Sequence, residues 1–438
     1  MASSAREIAL LALSACEKQG AWSDGYLKKA LRDAGLDSRD AALATRISFG
    51  VLQNRMLLDF YIAQYSSVKP EKLDNRVLCA LRIAVYQLRF MDRVPQSAAV
   101  NESVSLARKY APNPRAAGLV NAVLRGIARA GEGLPCPLDL ATRYSHPDWL
   151  VKELRLAVGT DELEELLSCD NSQPPTVAQV NTLRATAEEA QAVLTASGVG
   201  AELHPWLPDC LILSGTGNLE NLPAFQEGLF YVQDAAARLA VLAAAPAPGM
   251  RVLDACAAPG GKSFAAAIAM EGRGEILSCD IHPHKEKLIR AGAERLGLGI
   301  ITPMTQDAKA DQPEWHGTFD AVLADVPCSG LGIIRKKPDI RYKDPKPLEG
   351  LPAVQRAILD NVCRYVRPGG VLLYATCTVL ERENAAVVRN FIDRHNDFTL
   401  EPMALPGPIG RVPGGMITLW PHRHGTDGFF FAKLRKHV

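Results

Sequence analysis

The chain has 438 residues, and at about 100–200 residues per domain this length predicts two to four domains. Hydrophobic residues make up 47% and charged residues 22% of the sequence, a globular composition that excludes a largely disordered chain. The net charge is +1, but residues 1–140 hold 19 Lys and Arg against 13 Asp and Glu, an excess that suggests a polyanionic partner.

Residues 1–130 are predicted to be helical throughout, because apolar residues recur at helical spacing and strand-like alternation is absent. Ser38-Arg39-Asp40 is expected to cap a helix that runs through Leu58. Pro95 and Pro114 are each expected to start a further helix. These features predict an all-α bundle over residues 1–140.

The basic side chains of this bundle are its candidate nucleic acid contacts. Solvation of helix faces would explain the same excess of charge, so both interpretations remain open. The candidates are Arg82, Arg89, Arg93, Arg108, Lys109, Arg115 and Arg125.

A small α+β module is predicted over residues 141–234, after a linker rich in Gly and Pro at Gly131–Pro137. Its elements are short apolar runs and one helical stretch, as expected for a few strands and a covering helix. The predicted strands are Thr176–Asn181, Leu211–Leu213 and Leu229–Val232, and the predicted helix is Ala187–Ala196.

From residue 235 to 438 apolar strands alternate with helices, which predicts an open, doubly wound α/β sheet of the Rossmann-like type. Ligands of such sheets bind outside the carboxyl ends of the strands, so residues that follow the strands are the candidates for a site. The predicted strands are Arg251–Ala255, Glu275–Cys279, Ala321–Ala324 and Val371–Ala375.

The ten cysteines form no CxxC pair, so a disulfide framework is not expected and a cytoplasmic location fits better. The nine histidines lack Cys or carboxylate companions at metal-ligand spacing, so no metal site is predicted. No apolar run approaches the roughly 20 residues of a membrane span, and no membrane association is expected.

A turn of small residues follows the strand that ends near Asp254, and such a turn lets the backbone approach a ligand closely. It lacks G-x-G-x-x-G, and Cys256 stands where a P-loop needs its first Gly. Asp280 and Asp307, after the next two strands, are expected to accept from ribose hydroxyls and an adenine amine. The predicted ligand is S-adenosylmethionine, and the alternative is a turn without a ligand. The turn residues are Cys256, Ala257, Ala258, Pro259, Gly260, Gly261 and Lys262.

Two cysteines follow two further strands, Cys328 in Asp325–Gly330 and Cys377 in Thr376–Thr378. Either one alone is more typical of a small buried apolar residue. Together with the carboxylate of Asp325 they fit cytosine methylation, in which a thiolate adds to carbon 6 and makes carbon 5 nucleophilic. A carboxyl group beside ring nitrogen 3 and the exocyclic amine would hold and activate the base.

The segment Arg335–Lys346 holds six basic and two acidic residues. It is predicted to contact RNA phosphates, with an aromatic ring available for stacking, and the alternative is a solvated loop. The predicted contacts are Arg335, Lys336, Lys337, Arg341, Tyr342 and Lys343.

These motifs resemble the Sun/RsmB-type RNA 5-methylcytosine methyltransferases over essentially the whole chain. The motifs concerned are Asp254–Lys262, Asp325–Gly330, Thr376–Cys377 and the tail Gly425–Phe430. Gln96–Glu102 and Gly118–Arg125 resemble the NusB-like N-terminal domain of that family. One departure is Thr378, where the family usually has Ser.

The resemblance implies that Cys377 is the nucleophile and that Cys328 assists product release. It implies that Cys256–Lys262, Asp280, Asp307 and Asp325 line the pockets for S-adenosylmethionine and the base. The implied substrate is bacterial 16S ribosomal RNA, at cytosine 967 in the usual numbering, and the enzyme is expected to be a monomer.

Two alternative functions predict different experimental results. The same chemistry on transfer RNA or large-subunit RNA would leave the cysteines essential. A non-catalytic RNA-binding or antitermination factor would transfer no methyl group to RNA, so a labelled methyl donor would separate it from both enzymes.

Overall fold

The computed structural model of the chain describes residues 4–19 and 23–438. Two compact units are present: Met1–Gln173 with Ile334–Asp344, and Pro174–Ile333 with Pro345–Val438. The predicted fold class is confirmed, since a helical part is followed by a small α+β module and an α/β sheet. Residues 141–173, which the sequence assigned to the α+β module, are grouped with the helical unit.

The first unit is built around α5, whose residues Val77–Gln87 are buried on every face because neighbouring helices surround them. Its helices are α1 (Ala5–Gln19), α2 (Ser23–Ala34), α3 (Ser38–Gln53), α4 (Arg55–Tyr65), α5 (Asn75–Phe90), α6 (Gln96–Tyr110), α7 (Ala116–Ala130), α8 (Leu140–Tyr144), α9 (Asp148–Val158) and α10 (Leu163–Asp170).

The predicted helix from residue 38 through Leu58 is two helices. Its cap is Asp37, whose side chain accepts from the Asp40 backbone N–H at 2.8 Å. The break lies at Asn54, whose side-chain amide donates to the Gly50 carbonyl at 2.9 Å. Asn competes in this way with the regular backbone bonds of a helix, and apolar periodicity does not reveal such a break.

The segment Ile334–Asp344, predicted to be an RNA-contacting arm, packs into the helical unit. Arg341 has no exposed surface, and its guanidinium donates to the Gln53 carbonyl at 3.1 Å and the Asn171 side chain at 2.8 Å. The Tyr342 hydroxyl donates to the Leu52 carbonyl at 2.9 Å. In this conformation Arg341 therefore does not reach a phosphate, which corrects its assignment: helix-end carbonyls occupy its donors instead.

The second unit begins with a four-stranded antiparallel sheet in the order β2-β3-β1-β4. Helix α11 is capped by Thr186 and Glu189 in a reciprocal capping box and covers this sheet. The elements are β1 (Thr176–Val180), α11 (Ala187–Ala196), β2 (Gly200–Leu203), β3 (Cys210–Ser214), α12 (Pro223–Gln226) and β4 (Phe230–Val232).

The rest of this unit forms a mixed sheet in the order β10-β14-β9-β8-β5-β6-β7, with β13 paired to β14 and a separate β11–β12 hairpin. The elements are α13 (Ala235–Ala244), β5 (Arg251–Asp254), α14 (Gly261–Ala269), β6 (Glu275–Asp280), α15 (Pro283–Leu296), β7 (Ile301–Thr305), β8 (Phe319–Asp325), α16 (Leu351–Val362), β9 (Val366–Thr376), α17 (Ala385–Ile392), β10 (Phe398–Leu400), β11 (Met403–Leu405), β12 (Gly410–Val412), β13 (Met416–Leu419), α18 (Pro421–His424) and β14 (Phe429–Lys436).

Strands β5 to β9 run parallel. All but the edge strand β7 are buried on both faces over most of their length, which explains their nearly continuous apolar sequences. Their register aligns the carboxyl ends, since Asp254 lies opposite Ser278 of β6 and Asp325 lies opposite Ala375 of β9. Residues that follow these strands are therefore gathered at one edge of the sheet.

Candidate active site

The turn after β5 is shaped by glycine. Gly260 has φ of +113°, and a Cβ atom there would lie 2.5 Å from the Phe264 ring. Helix α14 begins at the next residue, Gly261. A side chain at Gly260 would strain the backbone and displace the ring, so the close turn into the helix depends on glycine.

Asp254 ends β5 and is completely buried. Its Oδ2 accepts from the Ser263 hydroxyl at 2.7 Å, and Ser263 in turn accepts from Ser278 at 2.7 Å. Its Oδ1 has no hydrogen-bond partner among the residues that the structure describes. Burial raises the pKa of Asp254 to about 6, although the Ser263 bond opposes the shift. A buried acceptor in this state fits a ligand that brings its own donor.

Acidic groups surround the turn. Burial raises the pKa of the Cys256 thiol well above its ordinary value, and the charges of Asp254, Asp325 and Asp280 raise it further. Asp280 is buried, and its Oδ1 accepts from the His282 backbone N–H at 3.0 Å. These residues fit a ligand with hydroxyl donors and a positive charge, as S-adenosylmethionine has.

Asp307 follows β7 and is more exposed to solvent than Asp280. Its Oδ1 accepts from the Lys309 backbone N–H at 2.9 Å, and its side chain is 37% exposed. The preceding residue, Gln306, donates its backbone N–H to the Asp280 carbonyl at 3.0 Å. The structure thus connects the two carboxylates predicted for the nucleoside through a backbone hydrogen bond.

The two motif cysteines meet. Sγ of Cys328 lies 3.1 Å from Sγ of Cys377, a contact in which either thiol can be the donor. The hydrogen bond to Cys377 raises the pKa of Cys328 well above its ordinary value, and burial and the charges of Cys377, Glu383 and Asp325 act in the same direction. These surroundings favour the neutral thiol at Cys328.

Lys262 connects the turn to the thiols. Its Nζ lies 2.5 Å from Oδ2 of Asp325 and 5.1 Å from the centre of the Phe429 ring. Burial lowers the pKa of Lys262, but attraction to Asp325 outweighs burial, with smaller contributions from Asp254 and Cys377. The pKa is raised overall, so a buried positive charge acts on the Cys377 sulfur.

The sequence analysis missed the residues that brace the two cysteines. Glu383, Asn384 and Gln355 are buried and hydrogen-bonded to the loops that carry Cys328 and Cys377. Their residue types gave no signal, since nothing in the sequence distinguishes buried Glu383 from exposed Glu381. For Glu383 and Asn384, a position shortly after the Thr376–Thr378 motif was the available clue.

The tail motif Gly425–Phe430 lies against the same loops. The Gly428 backbone N–H donates to the Gly332 carbonyl at 2.8 Å, and a Cβ on Gly332 would lie 1.8 Å from the Gly428 carbonyl oxygen. Gly332 in turn donates to the Cys377 carbonyl at 3.0 Å. Backbone contact between two glycines therefore places the tail against the loop that carries Cys377.

The predicted RNA contacts differ in exposure. In the segment after Cys328, Arg335 is buried like Arg341, Lys336, Tyr342 and Lys343 are half-buried, and Lys337 is exposed. In the helical bundle Arg82 is buried and Arg89 half-buried. The exposed members of the bundle set are Arg93, Arg108, Lys109, Arg115 and Arg125.

Among residues 4–19 and 23–438, no three His, Cys, Asp or Glu side chains are grouped so that they could hold a metal ion. Over the same residues no helix has both the length and the apolar character that crossing a membrane requires.

Comparison with known proteins shows which family the chain belongs to. The model of the 16S rRNA methyltransferase RsmB/F family matches residues 241–435, the NusB family model matches 3–129, and an RsmF/B-like ferredoxin-like domain matches 146–220. The probable ribosomal RNA small subunit methyltransferase B of Bacillus subtilis is 38% identical, over 99% of both chains. The chain belongs to the ribosomal RNA small subunit methyltransferase B family.

The family resemblance stated from the motifs is thereby confirmed. The ribosomal RNA small subunit methyltransferase B of Vibrio cholerae is 37% identical over 91% of this chain and 90% of its own. Among solved structures, PH0851 matches with a TM-score of 0.81 and 29% identity over 99% of this chain and 98% of its own. NSun6 from Pyrococcus horikoshii, solved with SFG, shares the fold at 22% identity and a TM-score of 0.57, over 67% of this chain and 98% of its own.

Proposed function

We propose that this member of the small subunit methyltransferase B family methylates carbon 5 of a cytosine in 16S ribosomal RNA in the cytoplasm. The proposed target is cytosine 967 in the usual bacterial numbering. The observation that carries the proposal is the pair of thiols 3.1 Å apart, adjoining the Lys262–Asp325 ion pair at the ligand-binding edge of the sheet.

S-adenosylmethionine supplies an electrophilic methyl group when it is bound. The turn Cys256–Lys262 would admit it closely, and Asp280 and Asp307 would accept from its ribose hydroxyls and adenine amine. Asp254 offers a buried acceptor with no protein partner in the described residues. The carboxylates around Cys256 favour a cation over a phosphate, which agrees with the absence of a P-loop pattern.

Cys377 is the proposed nucleophile, because carbon 5 of cytosine is too weak a nucleophile until a thiolate adds to carbon 6. The ammonium group of Lys262, held by Asp325, lies within electrostatic reach of the Cys377 sulfur. Asp325 is placed to hold the base through ring nitrogen 3 and the exocyclic amine, with its carboxylate oriented by Lys262.

The adduct must then be resolved. Carbon 5 gives its proton to a base, the C–H electron pair forms the double bond to carbon 6, and the carbon–sulfur pair returns to Cys377. Cys328 is proposed to assist this last step, since it lies within hydrogen-bond distance of the departing sulfur.

The proposal is tested with purified protein, labelled S-adenosylmethionine and small-subunit ribosomal RNA from a strain that lacks the enzyme. We expect 5-methylcytidine after digestion of the wild-type product. Cys377→Ala should give neither methylation nor adduct, and Cys328→Ala should accumulate a protein–RNA adduct that survives a denaturing gel. Wild-type activity in Cys377→Ala would refute the assignment, and bisulfite sequencing would locate the methylated cytosine.

A further inference from the structure

Glu383 braces the loop of Cys328. It has no exposed surface, and its Oε2 accepts from the Ser329 backbone N–H and from the Gln355 side-chain amide, both at 2.9 Å. The same Gln355 amide donates to the Pro327 carbonyl at 3.0 Å. The residues on both sides of Cys328 are therefore fixed by a carboxylate and an amide that the mechanism above does not use.

Asn384 makes the matching contacts around Cys377. Its Oδ1 accepts from the Thr376 hydroxyl at 2.6 Å, and its Nδ2 donates to the Thr378 carbonyl at 3.0 Å. Thr378 is joined to Ser329 through their hydroxyls at 2.8 Å. Two consecutive residues thus each hold the neighbours of one cysteine, and a hydroxyl pair connects the two loops.

The charges around the pair are unequal. Glu383 and Asp325 act on Cys328, and Tyr374 also lies within its electrostatic reach, whereas the Lys262 ammonium acts on Cys377. Oε1 of Glu383 has no hydrogen-bond partner in the described part of the chain. A carboxylate so placed favours a neutral thiol over a thiolate at Cys328.

We infer that Glu383 is a positioning residue that holds Cys328 as a thiol donating to the Cys377 sulfur, while Asn384 fixes Cys377 itself. This inference rests on the proposed covalent function. The Cys328 S–H stabilises the Cys377 thiolate when it leaves carbon 6, so the role of Cys328 in product release depends on its remaining protonated. Glu383 therefore acts on the release of the methylated base, and Asn384 acts on the addition of Cys377 to the base.

A measurement without RNA tests the charge directly. The full-length Cys377→Ser protein leaves Cys328 as the remaining thiol of the pair, and its alkylation by iodoacetamide can be followed against pH by peptide mass spectrometry. Adding Glu383→Gln keeps an acceptor for Ser329 but removes the charge, and should move the midpoint for Cys328 down by about one pH unit. The control Glu381→Gln removes an exposed carboxylate of the same turn, which pairs with Arg389, and should leave the midpoint unchanged.

A second measurement uses the complete enzyme. In single turnover, Glu383→Gln should form the RNA adduct at the wild-type rate but release it several-fold more slowly at about pH 9.5, where Cys328 of the variant begins to lose its proton before that of wild type. The defect should fade toward pH 7, where Cys328 is protonated in both proteins. Asn384→Ala should slow adduct formation about tenfold instead. Asn390→Ala, at an exposed position on the next helix, is the matched control.

An unchanged alkylation midpoint, or a release defect that does not vary with pH, would overturn the inference while leaving the proposed function intact. If wild-type protein forms no adduct and no 5-methylcytidine, the proposed function fails, and the alkylation result still stands by itself. Should Glu383→Gln not fold, Gln355→Met removes the bridge to Pro327 and keeps the charge. It should slow release with an unchanged KM, and unaltered release would again count against the inference.

Discussion

In the helical unit Arg82 lies between Asp59 and Glu17, whereas in the methyltransferase unit Lys262 pairs with Asp325 and acts on a thiol. Arg82 is buried and the Lys262 side chain is 11% exposed, and the pKa of each is raised although burial alone lowers it. Arg82 donates to both Asp59 oxygens, at 2.6 and 2.7 Å, and also to Glu17. Its charge is therefore matched by carboxylates from α4 and α1.

The two ion pairs differ in the third group that lies beside them. Next to Arg82 it is a second carboxylate, and the cluster holds helices α1, α4 and α5 together. Next to Lys262 it is Cys377, whose anion the same positive charge stabilises. In the proposed mechanism the paired cation serves stability in one unit and reactivity in the other, and substitutions should separate the two uses.

The largest expected effect is on stability. Arg82→Met removes a buried cation that donates to both Asp59 oxygens and to Glu17, which should lower the free energy of unfolding by about 3–5 kcal/mol. Denaturant titration of the full chain would measure the loss, with Arg93→Met at an exposed position as the control. Methyl transfer per folded molecule should be unchanged, and a selective loss of activity would break the contrast between the two units.

The second prediction concerns pH. Burial raises the pKa of Asp254 from its ordinary 3.8 to about 6, so the folded protein binds this proton more tightly than the unfolded chain does. The contribution of Asp254 to stability therefore falls as pH rises from about 4 through 6, by about 3 kcal/mol. Asp254→Asn keeps an acceptor for Ser263 and should become progressively more stable than wild type over that window, measured by thermal unfolding at each pH. A difference that stays constant between pH 4 and 7 would contradict this.

The sequence predicted the strands that carry Asp254 and Asp325 because buried parallel strands have continuous apolar runs and their ends carry polar residues. It therefore predicted the turn, the carboxylates and both cysteines as one group. It could not predict the bracing by Glu383, since that bond joins residues 54 positions apart and depends on packing.

For the basic segment Arg335–Lys346, local composition predicted exposed side chains, and the structure buries Arg341. Six positive charges in a short stretch are typical of a solvated or phosphate-binding arm, yet Arg341 is fully buried, and carbonyls at helix ends accept from both of its terminal nitrogens. Those carbonyls belong to residues 171 and 196 positions away, so local composition carries no information about them.

The third prediction tests the chemical use of buried charge. Lys262→Met should lower methyl transfer about 100-fold, because the Cys377 thiolate and the orientation of Asp325 both depend on the ammonium group. Stability should change less than in Arg82→Met, since Lys262 pairs with one carboxylate whereas Arg82 pairs with two. The rate of Cys377 alkylation near neutral pH should fall in the same variant. An unchanged alkylation rate would show that Lys262 does not act on the thiol.

The smallest effect is expected at the surface of the helical unit. If its buried charges serve stability, RNA contact must come from exposed side chains such as Arg125, which is held by Asn121 at 3.0 Å. Arg125→Ala should weaken RNA binding a few-fold and reduce the slope of log affinity against log salt by about 1, while the rate of methyl transfer at saturating RNA stays constant. Arg389→Ala, an exposed arginine of the other unit, provides the charge-matched control. A phosphate contact releases counterions when it forms, so equal slopes for Arg125→Ala and wild type would show that Arg125 makes no such contact. Arg115 and Arg108 would then be the next residues to test, because the same salt dependence would reveal a phosphate contact at either of them.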